Sequence, residues 1–248
     1  MYKRQANRYF ILFFVGAAGN GLYAVANKIP SILTVFFGIF SQAWQLSAVE
    51  EFESKDSEAF YSKIFNYMIF ISAVGVSILL IILKPFMQVY TSPSFYSSWH
   101  FAPFLLIAAV FANLSTFLGT IFIAAKKTGQ IFSTTILGML INLVLNLMLI
   151  PFLGVNGAGI GSSIGFLVVT VMRFYKSKKF VSIIVDKFLL SNVALFVSLM
   201  ILAELLIKDV IATIGLTSVL FLVLLLLERI YVIEAKRGFQ KVIHKMKG

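Results

Sequence analysis

The sequence predicts an all-α, polytopic integral membrane protein with seven full transmembrane helices plus one partial N-terminal helix. Three observations point there. First, 60% of the 248 residues are hydrophobic and only 12% are charged, against about 25% charged in an ordinary soluble domain; the mean hydropathy is +0.96. Second, seven apolar segments each reach the roughly 20 residues that a helix needs to cross the hydrocarbon core. Third, the basic residues fall on alternate connections between those segments. The absence of cysteine excludes a disulfide scaffold, an iron–sulfur cluster and a thiolate zinc site. A net charge of +11 would suggest nucleic acid in a soluble protein, but in a membrane protein it reports which side the cations occupy.

The spans run approximately over 22–47, 62–83, 100–123, 131–152, 157–176, 188–206 and 211–231. Their length argues against barrel strands, which are about 9–11 residues and alternate in polarity. The stretch 10–18, FILFFVGAA, is too short to span. With Arg4 and Arg8 ahead of it, it has the layout of a secretory signal; the other reading makes 8–20 the end of a truncated span that enters a glycine-bounded turn at Gly16–Gly21.

Basic residues decide the expected orientation. The connection at 48–61 with Lys63 brings two Lys, the one near 124–130 brings Lys126 and Lys127, the one near 173–187 brings five with Arg173 and Lys187 at its ends, and the C-terminal stretch from Arg229 brings six, fifteen in all. The intervening connections hold only Lys84 and Lys208. Cytoplasmic loops carry the Lys/Arg excess, so the expectation is a multi-pass protein of the inner (cytoplasmic) membrane with its C-terminus in the cytoplasm. In the tail, Ala235, Phe239, Val242 and Met246 recur at helical spacing among lysines, as in a basic amphipathic helix lying on an anionic leaflet.

Polar residues inside spans carry the functional reading. In 22–47, Asn27, Ser31, Thr34, Gly38, Ser41 and Gln45 step by three and four residues, which puts them in one stripe along the helix. Lys28 and Gln42 lie beside it, and Pro30 predicts a kink near its start. Lipid cannot satisfy such a stripe. Ser, Thr and Gly alone would suit helix packing; the amides and Lys28 favour a water-filled cavity. Asn113, Thr116 and Thr120 share a face in 100–123, as do Thr135, Gly138, Asn142 and Asn146 in 131–152; interhelical hydrogen bonds and a substrate path explain these equally well. Gly157, Gly161 and Gly165 form a small-residue seam.

No carboxylate lies near a span centre: Glu50, Glu51, Glu53, Asp56 and Glu58 share one connection, and Asp186, Glu204, Asp209, Glu228 and Glu234 sit near span ends. A cation or proton path usually uses an intramembrane acid. The buried charge here is positive, which favours an anionic substrate such as a phosphate or pyrophosphate headgroup. There is no phosphate-binding G-x-x-x-x-G-K-[ST] loop, and His100 and His244 stand alone, so neither an enzyme, a cofactor nor a metal site is expected.

The run GLYAVANKIPSILTVFFGIFSQAWQLSAVEEFESKD (Gly21–Asp56) resembles the opening of the second half of the bacterial polysaccharide flippases, of O-antigen and capsule type, in the multidrug/oligosaccharidyl-lipid/polysaccharide exporter superfamily. NLVLNLMLIPFLGVNGAGIGSSIG (Asn142–Gly165) resembles that family's later Asn…Asn…Ile-Pro…Gly-x-x-Gly-Ala turn. The resemblance implies the second lobe of a two-lobe transporter fold. It divides the chain into a six-helix lobe at 1–176 whose first helix is truncated (8–20), a terminal helix pair at 177–233 and the basic tail at 234–248. It implies alternating access to a polyprenyl-diphosphate-linked oligosaccharide, with membrane lipids and a separate N-terminal half as partners and no nucleic acid. Arg8 and Lys28 then fall to the anionic headgroup, with Asn27, Ser31, Thr34, Gln42, Gln45, Asn142 and Asn146 in the substrate cavity. The family often has Asp-Arg where this chain has Asn7-Arg8. The alternatives are a multidrug/cation antiporter of the same superfamily, a peptidoglycan-precursor flippase, and, from another class, a polytopic polymerase or ligase; the last would need large outer loops, whereas 84–99, 153–156 and 207–210 are short and nearly uncharged.

Overall fold

A computed structural model describes residues 2–234, with side chains from Ala6 onward; the tail expected at 234–248 lies outside the described residues apart from Glu234. Helical elements follow in order: α1 Tyr2–Phe14, α2 Ala17–Ala26, α3 Lys28–Glu50, α4 Ser57–Ile81, α5 Leu83–Tyr90, the 3-10 segment Pro93–Phe101, α6 Ala102–Ala124, α7 Gly129–Leu153, α8 Val155–Ser177, α9 Lys187–Leu206 and α10 Val210–Leu227. Seven of these stretches are long and apolar enough to cross a membrane. The chain is an all-α polytopic membrane protein.

Contacts divide it into two compact units, one of 1–65 with 82–184, the other of 66–81 with the chain from Val185 on. The boundary passes through α4 and not only through the connection after α8.

In the larger unit, α8 packs along both α6 and α7, and α3 packs along α6. The glycine seam makes the α7–α8 approach possible. A Cβ at Gly157 would lie 2.6 Å from the Leu149 backbone, one at Gly161 2.8 Å from Asn146 Oδ1, and one at Gly165 3.1 Å from Asn142 Cβ. An aromatic cluster fastens α3 to α6 and to the first turns of α4. Trp44 stacks on Phe60 and Phe117 and donates from Nε1 to Thr120 Oγ1 at 3.0 Å, while Tyr61 donates to the Ala48 carbonyl at 2.6 Å. The faces turned away from these contacts are apolar and exposed, for example Val35, Phe36 and Ile39 of α3, as expected of helices whose outer surface meets lipid.

The smaller unit contains the rest of α4 with α9 and α10, which pack on each other. Two acids from the sequence act as helix caps here. Asp186 accepts from Phe188 N at 2.9 Å and Leu189 N at 3.2 Å, and Asp209 accepts from Ala212 N at 3.1 Å, each offsetting N–H groups that a helix start leaves unpaired. Tyr231 donates to Asp186 Oδ2 at 2.9 Å, and Asn192 donates to the buried Glu228 carboxylate at 2.7 Å.

Three local expectations change. The turn expected over Gly16–Gly21 is confined to Val15 and Gly16, where φ is +90°. Helix resumes at Ala17, and Gly21 serves instead as a point of close approach, since a Cβ there would lie 2.9 Å from the Phe95 ring. The single helix expected at 22–47 is two, broken at Asn27. Pro30 has no N–H for the carbonyl four residues earlier, and the Asn27 side chain donates to the Tyr23 carbonyl at 3.0 Å. The connection at 84–99 is folded as α5 and the 3-10 segment, and Lys84 is buried in it with Nζ 4.4 Å from the Trp99 ring centroid, a cation–π contact. Lys84 is therefore a packed residue and not a free loop charge.

Candidate functional site

The break between α2 and α3 opens the wall of a cavity of 890 Å³ within the larger unit, enclosed by α1, α2, α3, α6, α7 and α8. Asn27 forms the break and Lys28 is the first residue of α3. Ser31 and Thr34 follow on the same face, their hydroxyls turned back onto the Lys28 and Pro30 carbonyls at 2.5 and 3.0 Å. That back-bonding satisfies each hydroxyl proton within the helix and leaves oxygen lone pairs toward the cavity. Opposite them stand Ser115 and Thr116 of α6, Thr135 of α7 and Ser162 of α8.

Among the described residues three cations line this space, Arg8, Lys28 and Arg173, and no carboxylate does. Arg8 and Lys28 are exposed. Arg173 is only 6% exposed and is held on three sides. Its Nε donates to Thr134 Oγ1 at 3.0 Å, Nη1 to the Ser115 carbonyl at 2.7 Å, and Nη2 to Thr135 Oγ1 at 2.9 Å and the Ile131 carbonyl at 3.4 Å. A guanidinium has five N–H donors, so neutral oxygens of α6 and α7 use four of them. Dipoles alone thus offset the desolvation of this charge, and its positive field remains available to the cavity. Gly119 makes room for it: a Cβ there would sit 3.2 Å from Nη1.

Five of the nine expected site residues line the cavity: Arg8, Asn27, Lys28, Ser31 and Thr34. Gln42 and Gln45 lie farther along α3, exposed, with Gln45 about 16 Å beyond Thr34 at 1.5 Å per residue. Where the stripe passes Gly38, nothing lies within 4 Å of a Cβ built there. Asn142 and Asn146 do not line the cavity. They belong to a buried network behind it, in which Asn146 donates to Asn7 Oδ1 at 2.7 Å and to Asn142 Oδ1 at 3.2 Å, and Asn7 donates to Ser162 Oγ at 2.8 Å and the Tyr23 hydroxyl at 3.1 Å. Through Asn7 and Ser162 the network does touch the cavity wall.

Sequence reading missed Arg173, which it assigned to a cytoplasmic connection because the residue ends an apolar run. One signal would have found it. The four-residue row Gly157, Gly161, Gly165 continues through Val169 to Arg173, so the inward face of α8 is marked by its glycines. Asn7 and Ser162 carry no such mark.

No family model matches the sequence, and no curated protein matches it.

Proposed function

We propose that the protein is a transporter, and more narrowly a flippase, that moves a lipid carrying a diphosphate headgroup across the membrane. Its substrate in this reading is a polyprenyl-diphosphate-linked oligosaccharide destined for a surface polysaccharide. One observation carries the proposal: among the described residues the cavity is lined by three cations and a rim of hydroxyls and amides, with no acid. A diphosphate is costly to bring into hydrocarbon. Arg8 and Lys28, both exposed in the cavity, would form charge-assisted bonds to its oxygens, while the buried Arg173 adds field without moving. Asn27, Ser31, Thr34 and Thr116 would take sugar hydroxyls in place of water. The cavity binds and releases in this account and makes no covalent change.

The sequence resemblance points the same way, and the rival cation antiporter finds no carboxylate in this cavity to hold its substrate. Alternating access between two lobes belongs to the proposal. The test is charge removal in cells that make surface polysaccharide with this protein. Lys28→Ala is expected to abolish the polysaccharide at unchanged membrane level of the protein, and lipid-linked oligosaccharide should accumulate on the cytoplasmic side. Normal polysaccharide in that variant contradicts the headgroup role. Complementation of a strain lacking peptidoglycan-precursor flipping separates the two substrate classes.

A further inference from the structure

A second, open apolar pocket of 760 Å³ is lined by Tyr9, Phe10, Leu12, Phe13 and Phe14 of α1 and by Leu147 of α7. It belongs to the same unit as the cationic cavity, and the two linings are neighbours on α1, where Arg8 lines one and Leu12, one turn on, lines the other. Their linings are near each other on α7 as well. Met139 lines the cationic cavity and Leu147 the apolar one, two steps of four residues apart on neighbouring faces, or about 12 Å along the axis. The intermediate step, Leu143, is exposed too. Apart from the Tyr9 hydroxyl the lining is hydrocarbon and aromatic ring, so a polar occupant would lose its hydrogen bonds there.

We infer that this groove seats the first isoprenoid units of the tail whose diphosphate head lies in the cationic cavity. The inference rests on the proposed flippase reading. It adds that the protein grips the tail at a defined place and does not leave all of it to the bilayer. The geometry suits one amphiphile bridging both spaces: a cationic end and an apolar end share one helix, and from Arg8 to Phe13 is about 7.5 Å, a short span for a hydrocarbon chain. Aromatic edges and faces at Phe10, Phe13 and Phe14, with Phe13 and Phe14 edge-to-face at 4.9 Å, offer packing that straight lipid chains already surrounding the protein do not fill equally.

The test uses the full chain in nanodiscs and a farnesyl diphosphate carrying a diazirine in its first isoprene unit. Photolysis followed by peptide mass mapping is expected to label residues 10–14 and Leu147, and inorganic pyrophosphate is expected to remove at least about two thirds of that label. Leu147→Trp, at a site 45% exposed and so of little risk to folding, should cut labelling of the groove severalfold while leaving pyrophosphate binding unchanged. Label displaced by pyrophosphate but confined to other helices overturns the groove assignment and leaves the headgroup reading standing. Label in the groove that pyrophosphate does not displace marks an ordinary lipid-contact face and also overturns it. Pyrophosphate binding that is absent altogether brings down the headgroup reading first and this inference with it.

Discussion

α3 and α7 carry the same sequence feature and the structure uses it in opposite ways. Each has amides and small polar residues repeated at three and four residues inside an apolar span. On α7, Asn142 and Asn146 meet Asn7 and Ser162 from α1 and α8 and become a buried network. On α3, Asn27, Ser31 and Thr34 meet a space, a Cβ built at Gly38 has nothing within 4 Å, and Gln42 and Gln45 are exposed. The difference lies in the opposing helix. α8 brings a glycine row up to α7, so the amide nitrogens of Asn142 and Asn146 find partners at hydrogen-bond distance, while Asn146 Oδ1 is left buried without one. α6 meets α3 through the adjoining face, where Leu33, Phe37 and Trp44 are buried. A polar stripe therefore says only that lipid is excluded; the residue size across from it decides between glue and cavity.

That contrast can be broken by substitution, beginning at the seam. Gly157→Ala puts a Cβ against backbone that cannot rotate away, 2.6 Å from Leu149 C and O. It should cost about 3 kcal/mol, the upper end of ordinary overpacking, seen as a lower thermal midpoint in nanodiscs with Trp44 and Trp99 as fluorescent reporters. Next comes the network. Asn146→Ala removes two donated bonds and strands Asn7 Oδ1, and should cost about 1–2 kcal/mol, between the soluble figure for an unsatisfied polar group and the smaller one found in membranes. If pyrophosphate binding vanishes while stability holds, Asn146 belongs to the cavity and the contrast is wrong.

The cavity side predicts the converse. Arg8→Ala with Lys28→Ala should leave the thermal midpoint unchanged, because both side chains are exposed, and should weaken pyrophosphate binding at least about tenfold, the loss of one or two charge-assisted bonds. The smallest effect is expected at Gln45→Ala. Because its side chain is exposed, it should alter neither stability nor pyrophosphate affinity measurably; a clear loss of affinity would extend the site along the whole stripe.

Much of the fold was legible because membrane spans announce themselves by length and hydropathy, and the seven spans agree with the observed helices to within a few residues at most ends. What was not legible turned on tertiary contact. The break at Asn27 came three residues ahead of Pro30 and split a helix that hydropathy ran together. Lys84 looked like a loop charge until Trp99 covered it. Arg173 looked like a cytoplasmic cation until α6 and α7 supplied oxygens for it. In each case periodicity named the face of the helix but not the group waiting across from it. Half of the candidate site was readable as a stripe, and the half on α1, α6, α7 and α8 was assembled by packing.

The central claim is that the cavity of Arg8, Lys28 and Arg173 binds a diphosphate. Titration of inorganic pyrophosphate into the full chain in nanodiscs of neutral lipid tests it most directly, comparing the wild type with the Arg8→Ala/Lys28→Ala variant at two salt concentrations. The account predicts saturable one-site binding to the wild type, weakened by salt, and at least about tenfold weaker binding in the variant. Equal affinity in the two proteins would contradict it.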